Sequence, residues 1–329
     1  RMSEKTGRPF IFSLNRVMRK PDAWKGHMAR TKESLKKGIR TYPTCSPVMM
    51  GSDFNMHNCQ IFRTVPSWTQ VLLSKDDALK MKTYRDPEFR KKIHYEVIEW
   101  PDFMETVTLG KNWPDTVIVK KTKLEKNRKY EGMTVRKLAE ATGKDILDAF
   151  LDLVVEEELD TEFLQFRRGF DADAMSEMLT YPFALMGNSD AGAHVQFRAD
   201  YGFSSIMLSQ WVRQQKLISL EAAVRKLSFD IAYYFGIYDR GLLQPGMAAD
   251  IVIFDPDTIG VLPKEKITDF PAGAWRLKVL AQGVMCTIVN GQVLIEDGKH
   301  TGALPGRVVR NSLYRERKEV EAMNNKATV

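Results

Sequence analysis

The sequence has few cysteines and no long apolar stretch. Its three cysteines, Cys45, Cys59 and Cys286, are odd in number, widely spaced and free of any Cys-x-x-Cys motif. This argues against a disulfide framework and against a zinc or dithiol site built on cysteine pairs. The apolar runs are strand-sized, well below the roughly 18 to 20 residues needed to cross a bilayer, and no basic-then-apolar leader follows Arg1. We therefore expect a cytoplasmic protein with no membrane partner.

Charge and composition are those of an ordinary globular protein. Lys and Arg number 49 against 42 Asp and Glu, a formal net charge of +7, and 43% of residues are hydrophobic, which excludes disordered, collagen-like and coiled-coil chains. A sequence pI near 9.1 would permit a nucleic-acid partner. The basic residues are spread along the chain, however, with local clusters only at Lys120–Lys129 and Arg307–Lys318. We read these clusters as solvated surface and expect no nucleic-acid binding.

Strand-like and helix-like segments alternate over the first two thirds of the chain. Such alternation predicts an α/β fold, with a parallel sheet or barrel and helices outside. The aperiodic stretch Thr41–Ser67, with three prolines, predicts a long loop. The predicted strands are Arg8–Leu14, Thr116–Val119, Phe163–Phe166 and Phe183–Met186; the predicted helices run from Pro21 to Gly38, from an Asp86 cap, and over Thr134–Ala141, Asp145–Glu158 and Asp173–Leu179.

The pattern changes after Gly187. Helices are predicted at Ser204–Gln214, Ser219–Leu227 and Asp230–Phe235, and short apolar runs separated by turns follow. Asn290-Gly291 between two such runs is a strong hairpin signal. We therefore predict a barrel-type portion over residues 1–240, a small β module over 241–310 and a charged helical tail over 311–329.

The number of strands constrains the architecture. A closed (β/α)₈ barrel needs eight βα units, but the sequence shows only four or five strands before Gly187. Either the sheet is open or the chain is the later part of a barrel.

The most informative motif is Ser189-Asp190-Ala191-Gly192-Ala193-His194, directly after the predicted strand Phe183–Met186. Barrel enzymes place catalytic groups at the carboxyl ends of parallel strands. A carboxylate there can bind a divalent cation and move a proton between a bound water and a leaving group. The alternative is that Asp190 caps the next turn, with Gly192 supplying the bend.

Several motifs resemble the amidohydrolase superfamily. They are Ser-Asp-Ala-Gly-Ala-His-Val at 189–195, Gly-Leu-Leu-Gln-Pro-Gly-Met-Ala-Ala-Asp-Ile-Val at 241–252 and Val-Asn-Gly at 289–291. Asp-Phe-Pro-Ala-Gly-Ala at 269–274, Gly-Lys-His-Thr-Gly-Ala-Leu-Pro-Gly-Arg at 298–307, Thr-Gly-Arg-Pro-Phe at 6–10 and Asp-Pro-Glu at 86–88 resemble, more narrowly, the N-acyl-D-amino-acid deacylases, or D-aminoacylases. The resemblance covers essentially the whole chain. It implies a metal-dependent hydrolase with a distorted (β/α)₈ barrel and a small β-sandwich, in which Asp190 binds the metal and is the general acid and base.

One departure from that family is large. The family's His-x-His pair is missing, since the five histidines are His27, His57, His94, His194 and His300. A catalytic zinc usually has three protein ligands and a water, so Asp190 alone would not hold it. The resemblance therefore implies the C-terminal portion of such an enzyme: a partial (β/α)₈ barrel of the later strands plus the β module, with the remaining zinc ligands upstream. His57 and Cys59 are two residues apart and could face one way on a strand as an N/S pair, but the resemblance gives them no metal role and we do not expect one.

The resemblance also implies a small-molecule substrate, an N-acyl-D-amino acid. Water attacks the acyl carbonyl, and Asp190 passes a proton to the departing amine. Arg198 is a candidate partner for the substrate carboxylate because a guanidinium matches a carboxylate geometrically; the alternative is a solvated surface arginine. His194 and Ser189 are candidates for contacts with Asp190 or with substrate.

Other functions remain open at this stage. The chain could be a non-catalytic amidohydrolase-like scaffold or fragment, or its substrate could be a cyclic amide such as a hydantoin or dihydroorotate. The acyl group, the number of metals and the oligomeric state are not readable from the sequence.

Overall fold

The computed structural model describes residues 2–14, 22–48, 51–100, 110, 112–166, 172–187, 189 and 192–310. The predicted tail at 311–329 lies outside them. The strands are β1 Phe10–Ser13, β2 Thr41–Cys45, β3 Gly51–Phe54, β4 Val117–Lys121, β5 Glu162–Phe166, β6 Leu185–Met186, β7 Ile251–Phe254, β8 Gly260–Val261, β9 Glu265–Ile267, β10 Arg276–Lys278, β11 Ala281–Gln282, β12 Val284–Val289, β13 Gln292–Glu296 and β14 Lys299–His300.

Helices follow most strands of the first two thirds. They are α1 Met2–Thr6, α2 Ala23–Lys36, α3 Pro66–Leu73, α4 Asp77–Arg85, α5 Pro87–His94, α6 Trp113–Thr116, α7 Val135–Thr142, α8 Ile146–Glu156, α9 Ala172–Thr180, α10 Phe203–Ile206, α11 Leu220–Leu227 and α12 Phe229–Tyr234, with π-helical turns at Tyr95–Glu99 and Met207–Gln214 and 3₁₀ turns at Glu125–Tyr130, Asp200–Gly202 and Pro271–Gly273. The described helices include none with the length and apolar character of a membrane span.

The helix start predicted from an Asp86 cap is confirmed. Side-chain oxygens of Asp86, Thr134, Asp145 and Ser219 accept hydrogen bonds from backbone N–H groups in the first turns of α5, α7, α8 and α11. Gly143 ends α7 with a φ of 65°, a left-handed conformation that glycine adopts without strain.

A parallel sheet of order β1-β2-β6 forms the first structural layer. Phe10 pairs with Thr41, and Thr44 pairs with Leu185. The carboxyl ends of the three strands therefore lie at one edge. Apolar side chains from this sheet and from α2, α9 and the 203–214 helix form one buried core, which includes Trp24, Met186 and Trp211.

Residues 51–166, here called the 51–166 unit, have a second core and an antiparallel sheet of order β3-β5-β4. Buried aromatic rings dominate this core, among them Phe62, Trp68, Trp113, Phe150 and Phe163. The prediction of parallel pairing throughout the alternating region is therefore wrong for this sheet. Alternation does not fix the direction of pairing when a strand meets a partner more than a hundred residues away.

The predicted long loop Thr41–Ser67 is also wrong. It contains β2, β3 and the start of α3. β2 contains Pro43, and β3 reads Gly-Ser-Asp-Phe, so neither carries the apolar alternation that marks a strand. Both are held by distant partners, β1 and β6 for β2 and β5 for β3.

Residues 241–310, here called the β module, contain a four-stranded antiparallel sheet of order β14-β13-β12-β7 and two strand pairs, β8 with β11 and β9 with β10. The predicted hairpin at Asn290-Gly291 is confirmed between β12 and β13. Both turn residues have positive φ, 48° and 79°, as a two-residue type I′ turn requires. The Asn290 side-chain amide also donates to the Pro305 carbonyl at 2.7 Å.

Candidate functional site

The site region lies at the carboxyl ends of β2 and β6. The Gly187 N–H donates to the Cys45 carbonyl at 3.1 Å, so the two chain segments leave the sheet side by side. Gly187 has a φ of 140°, a conformation that side chains with a Cβ rarely adopt. Gly187 thus ends β6 in a conformation suited to glycine, at the edge where parallel sheets place their functional loops.

Asp190 and Ala191 lie outside the described residues, so the role of Asp190 stays a prediction. Ser189, on its amino-terminal side, is half-buried. The description resumes at Gly192.

The segment 192–200 begins two residues after Asp190 and is compact. The His194 carbonyl accepts hydrogen bonds from the N–H groups of Phe197 and Arg198, both at 2.9 Å. This turn leaves His194 itself exposed and turns Phe197 into the core of the 51–166 unit. His194 is therefore open to solvent and to any ligand that enters beside it.

Arg198 is buried, with 3% of its surface exposed. One of its guanidinium nitrogens, Nη1, lies 3.9 Å from Oδ2 of Asp200, which is 5% exposed. The alternative of a solvated surface arginine is wrong, because the turn at His194 carries Arg198 inward. Its role toward a substrate carboxylate stays a prediction.

Two parts of the molecule hold the segment 192–200. The Asp53 N–H in β3 donates to the Phe197 carbonyl at 3.1 Å, and the Leu277 N–H in β10 donates to the Val195 carbonyl at 2.8 Å. The segment thus lies between the 51–166 unit and the β module.

Asp53 also joins these two parts through its carboxylate. Oδ1 accepts from Lys120 at 2.8 Å and Oδ2 accepts from Lys264 at 2.7 Å. Burial disfavours the charged form of Asp53, but the two lysines outweigh it and hold the pKa of its carboxyl below the ordinary value. Sequence reasoning missed Asp53, since its partners lie 67 and 211 residues away.

His57 and Cys59 are engaged within the 51–166 unit. The two ring nitrogens of His57 lie 2.8 Å from Oδ2 of Asp77 and 2.9 Å from Oδ1 of Asp160. Cys59 is fully buried, and burial raises the pKa of its thiol to about 12. A buried neutral thiol is a poor metal ligand.

The other histidines belong to other elements of the structure. His94, at the end of α5, lies between the carboxylates of Glu99 and Asp145; His27 contacts Arg30 in α2, and His300 is in β14. Across the part of the chain that the structure describes, His, Cys, Asp and Glu side chains nowhere form a group of three or more able to hold a metal ion. Those residues alone do not fit a metal centre.

Comparisons with known proteins indicate the same family as the sequence motifs. A model of the amidohydrolase family matches residues 124–295, more than half of the chain. An N-acyl-D-aspartate deacylase from Alcaligenes xylosoxydans xylosoxydans is 30% identical over 179 residues, which is 52% of this chain and 33% of that protein.

Two solved structures are similar in fold. A crystal structure of D-aminoacylase gives a TM-score of 0.51 at 19% identity, covering 94% of this chain and 51% of that one. An N-acyl-D-glutamate deacylase from Bordetella bronchiseptica, solved with zinc and a phosphonate inhibitor, gives 0.51 at 18% identity with the same coverage. These two matches confirm the predicted α/β fold class. The chain spans about a third of the length of the curated deacylase and about half of the solved chains.

Proposed function

The chain belongs to the amidohydrolase family, and from this membership we propose that it is part of a metal-dependent hydrolase that cleaves the amide bond of N-acyl-D-amino acids. The similar curated protein is a deacylase of N-acyl-D-aspartate, and the similar solved structures include a D-aminoacylase and a deacylase of N-acyl-D-glutamate. The substrate class is therefore a small N-acyl amino acid, and the expected compartment is the cytoplasm.

Within this proposal, residues 1–240 form the later part of a (β/α)₈ barrel and residues 241–310 a portion of a β-sandwich. The parallel β1-β2-β6 sheet supports the first assignment, and the four-stranded sheet of the β module supports the second. The tail at 311–329 is assigned to neither.

The position of the 189–195 motif carries the functional proposal. Asp190 follows β6 by four residues, and β6 is an edge strand of a parallel sheet. We assign Asp190 as metal ligand and as the group that carries a proton from the attacking water to the departing amine. The similar glutamate deacylase contains zinc, and zinc is the metal we propose. Its other ligands are assigned to residues beyond those described, because the described ones form no metal-binding group.

Three further side chains are assigned to the substrate. Exposed His194 and half-buried Ser189 flank Asp190 in sequence and are proposed to contact the substrate or the Asp190 carboxylate. Arg198 is proposed to pair with the free carboxylate of the substrate, since a desolvated guanidinium binds a carboxylate with two parallel hydrogen bonds. The burial of Arg198 argues against a solvated surface role.

The test is metal analysis with a hydrolysis assay on N-acetyl-D-amino acids, using the protein encoded by the full reading frame. Asp190→Asn keeps the size of the side chain but removes its proton-accepting charge, so kcat is expected to fall by about 10²- to 10⁴-fold. Asp257→Asn is the matched control, because Asp257 is exposed in a turn of the β module; its activity should equal that of the parent.

Two results would contradict the proposal. Turnover by the Asp190 variant at the parental rate would remove the role of Asp190. Absence of hydrolysis by metal-loaded parent protein would favour the non-catalytic scaffold instead.

A further inference from the structure

A side-chain hydrogen bond joins the segment 192–200 to the 51–166 unit. The Asn58 side-chain amide nitrogen, Nδ2, donates to Oε1 of Gln196 at 2.7 Å. The two residues are 138 positions apart in sequence and both are partly buried. Gln196 is thus fixed two residues beyond His194.

Asn58 is itself held in place on its other side. Its backbone N–H donates to Oδ1 of Asn55 at 3.1 Å, and its Oδ1 accepts from Nη2 of Arg63 at 3.2 Å. The Arg63 Nε in turn donates to the Cys59 carbonyl at 3.1 Å. Because the guanidinium can only donate, it occupies the amide oxygen of Asn58 and leaves the amide N–H to face Gln196.

The backbone on either side of Gln196 is also hydrogen-bonded. The Phe197 carbonyl accepts from Asp53, and the Val195 carbonyl accepts from Leu277, so both backbone neighbours of Gln196 are bonded to different parts of the molecule. These two backbone bonds tolerate any side chain. The Asn58–Gln196 bond, by contrast, depends on both side chains.

Resting on the proposed function, we propose that Asn58 and Gln196 are positioning residues of the hydrolase, whose mutual hydrogen bond fixes the segment that follows Asp190. Small displacements of a catalytic group reduce the rate strongly, because the reacting atoms must meet at about 3 Å. The bond therefore acts on the chemical step through the segment 192–200.

Three variants separate this role from a general loss of stability. Gln196→Met keeps the length of the side chain but removes the oxygen that accepts from Asn58. Gln196→Glu keeps an acceptor oxygen there and is the conservative rescue. Gln292→Met makes the same change at an exposed position in β13 and is the matched control.

The first readout is amide hydrogen exchange at Asp53 and Leu277, whose N–H groups bond to the carbonyls on either side of Gln196. Losing one hydrogen bond is expected to speed exchange at these two amides about fivefold in Gln196→Met. Exchange should stay at the parental rate in the other two variants. The amides of Gly132 and Gly291, bonded to the carbonyls of Val119 and Ala249, serve as internal references. Unchanged exchange at both reporter amides in Gln196→Met would overturn the proposal.

The second readout is the kinetics of N-acetyl-D-amino acid hydrolysis by the full protein. Gln196→Met should lower kcat about five- to tenfold with KM changed less than twofold. The kcat of Gln196→Glu should equal that of the parent protein. Faster exchange with an unchanged kcat would overturn the catalytic part of the proposal. If the parent protein shows no hydrolysis, the proposed function fails and the positioning role fails with it, while the exchange data still decide whether the contact holds the segment.

Discussion

Glu157 is a fully buried carboxylate whose loss should cost a large part of the stability of the 51–166 unit. It follows α8 and has 0% exposure. Oε1 accepts from the Asn127 side-chain amide at 2.7 Å and from the Leu124 N–H at 3.1 Å, and Oε2 accepts from the Lys123 N–H. The carboxylate thereby anchors the start of the 3₁₀ turn Glu125–Tyr130.

Glu157→Gln changes one of these two oxygens into an NH₂ group that cannot accept. The substitution removes one or two hydrogen bonds to a charged acceptor, each worth about 1.5–3 kcal/mol. At least one buried N–H then faces another donor, which adds a penalty of roughly 1–3 kcal/mol unless the chain rearranges. Partial rearrangement of the 3₁₀ turn offsets some of this cost. We therefore expect the free energy of unfolding to fall by about 3 kcal/mol.

Urea unfolding followed by tryptophan fluorescence measures this loss, because Trp68 and Trp113 are buried in the core of the same unit. The matched control is Glu158→Gln at the next position. Glu158 is exposed and pairs with the Lys123 ammonium at 2.5 Å, and such pairs contribute about 0–1 kcal/mol. If the free energies of unfolding of the two variants differ by less than about 0.5 kcal/mol, the reasoning from buried donors is refuted.

Two further predictions concern titratable groups. Asp53 has a lowered pKa because its two lysine partners outweigh its burial. Its contribution to the free energy of unfolding is therefore fully present above the ordinary aspartate pKa of about 4. That contribution is lost as the pH falls through the lower pKa of Asp53 in the folded protein. Asp53→Asn should therefore lower the free energy of unfolding at pH 6 by more than at pH 2, and a difference that does not change with pH would contradict this. Burial raises the thiol pKa of Cys45 and Cys59 to about 12, so iodoacetamide at pH 8 should label partly exposed Cys286 first in the native chain. Mass spectrometry of the alkylated chain checks this, and labelling of either buried thiol as fast as Cys286 would contradict it.

Features encoded by neighbouring residues were predictable from the sequence. The cap at Asp86 placed the start of α5, because a capping side chain bonds to an N–H group only two residues further on. The same holds for the Asn290-Gly291 turn, whose two positive φ values are a property of the two residues themselves.

Features that depend on distant partners were not predictable. β3 has a sequence that does not favour a strand, and it forms because β5 pairs with it from more than a hundred residues away. The contact between Asn58 and Gln196 spans 138 residues. Periodicity and capping describe windows of about ten residues, so they contain no information on either pairing.

In the candidate site, too, the sequence predicted the types of side chain but not their surroundings in the fold. Residue type and spacing made His57 and Cys59 a conceivable ligand pair, but the fold surrounds one with two carboxylates and buries the other as a neutral thiol. Spacing also left Arg198 open between two roles, and a turn closed by the His194 carbonyl carries it into the interior. His194, at the start of that turn, stays exposed. A side chain can take part in chemistry only where its polar atoms are accessible and not already occupied by other hydrogen bonds. A metal ligand or general base proposed from sequence spacing is therefore assigned only after its hydrogen-bond partners in the fold are known.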